Sequence, residues 1–274
     1  MRAQWFGSAL VAATLTTLAM ALAVADDGGK ANGNGLAAGF DHYGVRGTLL
    51  LCQANVKPCD VHNAQRARQR FSPASTFKIV NALIGLEQKA VRDEHESMHW
   101  DGSKQPVAAW ERDHDLASAM RVSAVWFYQA LARRIGRAPM QQALDRLKYG
   151  NQRMGGREDL FWLDGSLTIS AEEQLEVLRG LHDGTLPFSE RSQRIVRETL
   201  LRASGEEFAV YAKTGWNDTY KIGWFVGWVQ RGDAAHYFVL NIDVNSEQDA
   251  AARIDLIEQV LQQRELIPRG TELE

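Results

Sequence analysis

Three apolar runs near the end of the chain constrain the fold most. Phe208 to Ala212, Gly223 to Val229 and Tyr237 to Ile242 are period-two or continuous, with turn residues between them. Three successive strands with short connections predict an antiparallel meander. Gly47-Thr48-Leu49-Leu50-Leu51 reads as a further buried strand, reversed by the turn near Asn55 to Pro58. Between these ends the periodicity is helical. Ser75 to Lys89 is one helix, and Leu116 to Ile135 another, interrupted near Ser123 and stopped at Gly136. Met140 to Leu147 follows, ended by Tyr149-Gly150-Asn151. Ser170-Ala171-Glu172-Glu173 is a capping box opening a helix to Leu181, and another helix lies near Arg191 to Leu201. A last helix carries Ile254, Ile257, Val260 and Leu261 on one face. Strands open and close the chain, so the expected fold is α/β (α+β). One antiparallel sheet is flanked by N- and C-terminal helices, with an all-helical subdomain inserted. The sheet part spans about 40–80 and 187–274, the helical part about 81–186.

The start of the chain reads as a targeting segment. Arg2 is positive, Ala9 to Ala25 is an apolar run diluted by three threonines, and Ala23-Val24-Ala25 offers small residues for cleavage. A signal peptide over 1–25 and a flexible, glycine-rich mature N-terminus over 26–39 are expected, with no membrane association after cleavage. Export gives Cys52 and Cys59, the only cysteines, an oxidising surrounding in which thiols across a short hairpin pair. Two unpaired thiols are the alternative. A formal net charge of -3 argues against a nucleic-acid binder.

Chemistry concentrates in Phe71-Ser72-Pro73-Ala74-Ser75-Thr76-Phe77-Lys78. A hydroxyl and an amine three residues apart stack on one helix face. Ser72 and Pro73 look like helix-start residues, which would put Ser75 near free backbone N–H groups. Apolar neighbours Phe77, Ile79 and Val80 would desolvate Lys78 and lower its pKa, giving a base beside a nucleophile. Ser123-Ala124-Val125 sits at a helix interruption, where a hydroxyl can point into a cleft. Lys213-Thr214-Gly215 follows a strand and offers a point charge beside a residue that lets a backbone approach a substrate.

These elements, with Phe161-Trp162-Leu163, Trp216, Gly223 to Val229 and Arg253, resemble the penicilloyl-serine transferases, specifically the class D β-lactamases. The resemblance runs from about Phe40 to Pro268. The second element separates the classes, since S-A-V stands here where class A enzymes carry S-D-N. The resemblance implies that Ser75 attacks a β-lactam carbonyl, and that Lys78 is carboxylated by carbon dioxide to a carbamate serving as general base. Carbon dioxide or bicarbonate would be the only accessory, with no other cofactor and no metal. Val125, Leu163 and Trp162 would line the carbamate pocket, the indole donating to it. Ser123 would relay a proton to the leaving nitrogen, and Lys213 would set the local potential. Thr214 and Arg253 would hold the substrate carboxylate, with Gly215 beside them. The backbone N–H groups of Ser75 and Trp216 would form an oxyanion hole. Tyr149 and Asn151 would shape the site. A small-molecule β-lactam partner, a bacterial periplasmic location and a monomer or homodimer follow.

His95-Glu96-Ser97-Met98-His99 spells a zinc-protease motif, but that motif needs a regular helix and a third ligand. Here it lies in a polar stretch entering Trp100-Asp101-Gly102, so no metal is expected. Two rivals keep Ser75 as nucleophile: a β-lactam sensor domain, which keeps the acyl group as a signal, and a peptidoglycan transpeptidase or carboxypeptidase. Sensors are tethered to membrane helices, and the transpeptidases usually lack the tryptophan matching Trp162.

Overall fold

The structure is a computed structural model, and it describes residues 34–273. The expected signal peptide over 1–25 lies outside the described residues. Of the expected flexible stretch 26–39, residues 34–39 are ordered: α1 (Asn34–Tyr43) begins there. Leu36 and Phe40 cause it, since both are buried among the apolar residues of the C-terminal helix and one sheet face. Tertiary burial offsets the helix-weakening glycines.

Among the described residues six strands make one antiparallel sheet. They are β1 (Gly47–Gln53), β2 (Asp60–His62), β3 (Leu201–Ser204), β4 (Ala209–Asn217), β5 (Ile222–Arg231) and β6 (Ala234–Asp243), in the order β2-β1-β6-β5-β4-β3. The expected meander is β4-β5-β6, with Val226 opposite both Lys213 and Val239. Short β2 and β3 have no apolar run to announce them. The helix expected to reach Leu201 stops at Thr199, and Leu201 opens β3 instead.

Alternation along the strands feeds two cores. On one face Leu50, Trp224, Val226, Trp228 and Val239 pack with α3 (Lys78–Glu87), α5 (Val125–Ile135) and α7 (Ala171–Asp183). On the other, Leu49, Leu51, Phe225, Phe238 and Leu240 meet α1 and α9 (Glu247–Gln263). Both sheet faces are therefore covered, and the central strands read as continuous apolar runs for that reason. The capping box on α7 forms as the sequence predicts, Ser170 accepting from the Glu173 N–H. This helix packs on β1, β5 and β6. Cys52 and Cys59 are bonded, joining the end of β1 to the start of β2.

Candidate active site

Ser75 does not sit in an α-helix. It lies in a 3-10 turn, Ala74–Phe77, that runs directly into α3. Ala74 is fully buried at φ +49°, a left-handed conformation costly for a residue with a Cβ. The expected Ser72 cap is not made. Pro73 occupies the cap position with no side-chain bond, and Ser72 Oγ donates instead to the Trp162 carbonyl at 2.9 Å. The turn is held from its far side by Thr76, whose Oγ1 donates to Pro73 O at 2.7 Å and accepts from Gln174 on α7 at 2.6 Å. Nothing local in the sequence marks Gln174 for that task.

The three-residue spacing does bring the pair together. Lys78 Nζ donates to Ser75 Oγ at 2.5 Å. Lys78 is 0% exposed, faces the Tyr128 ring at 5.6 Å, and burial lowers its pKa to about 7. Its chain neighbour Phe77 belongs to an aromatic cluster. Trp162 is buried and stacks on Phe77 at 5.5 Å, with Phe161 edge-on to both rings. The Trp162 Nε1–H is buried with no protein acceptor. Val125, at the start of α5, and Leu163 are half-buried.

Ser123 terminates α4 (Leu116–Val122) at φ +59°, breaking what would otherwise be one helix through α5. Two indoles brace the break: Trp110 Nε1 donates to Val122 O, and Trp126 Nε1 to Trp110 O, both at 2.8 Å. The break turns Ser123 toward β4, where Lys213 Nζ donates to its Oγ at 3.0 Å. Lys213 is also 0% exposed. Burial, then the nearby charges of Lys78, Arg202 and Arg253, hold its pKa well below the usual lysine range.

From Lys213 onward β4 runs past the Ser75 turn. A Cβ at Gly215 would stand 3.1 Å from Pro73 O and 3.2 Å from Thr76 Cγ2, so glycine there permits the close approach of strand and turn. Thr214 is half-buried and Trp216 is 41% exposed. Arg253, on α9, reaches beneath the strand. Its Nη1 donates to Gly215 O and its Nε to Ala250 O, both at 2.5 Å, and its guanidinium lies 5.8 Å from the Trp216 ring. Burial lowers its pKa to about 10.

Tyr149 and Asn151 take structural places. Tyr149 packs edge-on to Phe77 at 5.6 Å, and burial raises its phenol pKa far above the ordinary value. Asn151 Oδ1 accepts from the Thr168 and Arg153 N–H groups, and its Nδ2 donates to Ser166 O. That fastens both ends of the loop bearing Trp162. His95 to His99 is not helical: Met98 bridges to His114, and His99 Nδ1 meets Asp113 Oδ2 at 2.6 Å. Among the described residues no group of three or more His, Cys, Asp or Glu could hold a metal ion.

A serine–lysine pair under an antiparallel sheet, faced by a second serine and a second buried lysine, defines a class. The penicillin binding protein transpeptidase domain matches residues 9–262. Beta-lactamase OXA-48 of Klebsiella pneumoniae is 42% identical over 233 residues, 84% of this chain and 88% of that protein. The probable beta-lactamase YbxI of Bacillus subtilis (strain 168) is 43% identical over 212 residues, 77% and 79% of the two chains. Among solved structures, the class D β-lactamase YbXI from Nostoc superposes with a TM-score of 0.82 at 37% identity, covering 85% of this chain and 99% of that one. The chain belongs to the class D β-lactamases, serine hydrolases within the penicillin-binding transpeptidase family.

Proposed function

We propose that this chain opens β-lactam rings through an acyl-enzyme on Ser75, with Lys78 carboxylated by carbon dioxide, and so confers antibiotic resistance from the periplasm. One observation carries the reading. Lys78 is fully buried, within 2.5 Å of Ser75 Oγ, and its pKa is about 7. Only an unprotonated amine reacts with carbon dioxide. An exposed lysine offers under about one neutral amine in a thousand at neutral pH, and Lys78 about one in two.

The surroundings fit the carboxyl group. An indole N–H can only donate, and leaving one buried and unpaired costs about 1–3 kcal/mol. Trp162 Nε1, on the ring stacked against Phe77, is such a donor, and an anion on Lys78 would answer it. Half-buried Val125 and Leu163 supply apolar lining. When present, the carboxyl group supplies a base beside the Ser75 hydroxyl.

Ser75 Oγ gives up its proton and bonds to the carbonyl carbon. The ring C–N bond breaks, and the leaving nitrogen takes a proton from Ser123, which Lys213 orients at 3.0 Å and which is reprotonated with the proton given up by Ser75. Water then adds to the acyl carbon, the ester C–O bond breaks, and Ser75 regains its proton. Backbone N–H groups of Ser75 and Trp216 would hold the oxyanion, and Thr214 and Arg253 the substrate carboxylate. Export rests on the first 25 residues, and the Cys52–Cys59 bond suits an oxidising compartment.

The test is intact-protein mass after mixing with a penicillin, with and without bicarbonate, while ring opening is followed. Many turnovers boosted by bicarbonate are expected. A stable adduct on Ser75 without turnover would replace this reading with the sensor or transpeptidase one.

A further inference from the structure

Three consecutive backbone carbonyls, those of Trp162, Leu163 and Asp164, are each captured by a side chain from elsewhere in the fold. Ser72 Oγ donates to Trp162 O at 2.9 Å, Asn217 Nδ2 to Leu163 O at 2.8 Å, and Tyr220 Oη to Asp164 O. The turn's own amides point elsewhere: Leu163 and Asp164 N–H bond to Leu160 O, and Leu167 N–H to Phe161 O.

The three donors are themselves wired together. Asn217 Nδ2 also reaches Ser72 Oγ at 3.2 Å, and Asn217 Oδ1 accepts the Tyr220 N–H at 3.2 Å. Trp224 Nε1 fixes Ser72 from behind through its carbonyl at 2.8 Å. Gly165, at φ +81°, completes the fit, because a Cβ there would collide with the Tyr220 ring. Asn217 ends β4, the strand bearing Lys213, and Ser72 lies three residues before Ser75. The network therefore ties the backbone of Trp162 to both catalytic elements. Its indole nitrogen meanwhile has no protein partner to orient it.

We propose that Ser72, Asn217 and Tyr220 form a positioning clamp that sets the Trp162 indole against Lys78 and thereby sets how tightly Lys78 holds carbon dioxide. The clamp rests on the carboxylated-lysine reading given above. The three residues are positioning residues: they touch the backbone that carries the indole, not the substrate. A hydrogen bond to a bound group loses strength steeply when its donor drifts. Outer partners that orient the ligands of a bound metal control about 10- to 100-fold in its affinity, a scale taken here for a carboxyl group held by an oriented donor.

The experiment titrates carbon-13-labelled bicarbonate into wild type, Asn217→Ala and Tyr220→Phe, and reads the lysine carbamate resonance by NMR beside kcat. Half-saturation is expected to rise about 10-fold in Asn217→Ala and about 3-fold in Tyr220→Phe. Excess bicarbonate should restore kcat in both, a rescue that a merely loosened fold would not show. Tyr220 is 48% exposed and loses only a hydroxyl, so that variant carries the test if Asn217→Ala does not fold. A wild-type carbamate signal with unchanged half-saturation in the folded variants overturns the clamp alone. No carbamate signal in wild type at any bicarbonate concentration overturns the reading beneath it as well.

Discussion

Lys213 and Ser123 stand 90 residues apart in sequence and 3.0 Å apart in space, the lysine on β4 and the serine at the break between α4 and α5. Lys213 has exchanged water for Ser123 and the carbonyl of Thr214, so in the proposed mechanism the two side chains would act on the leaving group as one unit. Ser123→Ala and Lys213→Ala are each expected to lower kcat by about 10²–10³-fold. The double variant should lose little more than the worse single one. Steady-state kinetics on a penicillin checks this; multiplicative losses would mean independent roles.

Lys78 makes the site costly to fold. Its pKa falls from 10.5 to about 7 by burial, so between those values the unfolded chain binds more protons than the folded one. Stability should therefore rise with pH across that window, and the full penalty applies below about pH 7. In buffer free of carbon dioxide, Lys78→Met should melt at least about 5 °C above wild type at pH 6, the gap closing toward pH 10. The same variant should not turn over. A melting difference independent of pH would contradict the buried neutral amine.

Arg253→Ala should raise KM for a penicillin about 10- to 100-fold, with a smaller change in kcat, because it removes charge-assisted donors. Arg253→Lys should not restore KM. An ammonium cannot serve Gly215 O, Ala250 O and a carboxylate with the fork that Arg253 uses. Unchanged KM in Arg253→Ala would place the substrate anion elsewhere.

The Cys52–Cys59 bond closes a short loop between β1 and β2, at the sheet edge opposite β3 and β4. Replacing both cysteines by serine should cost about 2 kcal/mol and lower the melting temperature by about 4–8 °C. kcat at 25 °C should be retained. Melting curves with and without reductant, beside an activity assay, test both halves.

Much of the site could be read from single residues because its parts are local. Ser75 and Lys78 sit one turn apart, Ser123 breaks a periodic run, and Lys213 adjoins an apolar run, although it lies within β4 rather than after a strand ending at Ala212. The backbone around Ser75 was not legible. The spacing predicts a regular helix there, whereas packing holds Ala74 left-handed and starts the α-helix at Lys78. Ser72 illustrates the limit. Beside Pro73 it has the chemistry of a cap, yet Trp162 O, 90 residues on, outcompetes the local amides. Gln174, Asn217 and Tyr220 carry no signal because their partners lie far away in sequence. Likewise α1 is helical through contacts with α9, which its glycine-rich composition hides.

The order β2-β1-β6-β5-β4-β3 also has a consequence in time. Gly47 pairs with Ile242 and Gln53 with His236, so β1 has no inner neighbour until residues 234–243 have been delivered. A chain emerging from its N-terminus therefore holds one edge of an apolar strand unpaired, with only the short β2 beside it, through nearly all of its synthesis or passage. Non-local pairing of this kind slows folding and leaves strand edges open meanwhile. Seating of the first strand waits on arrival of the last.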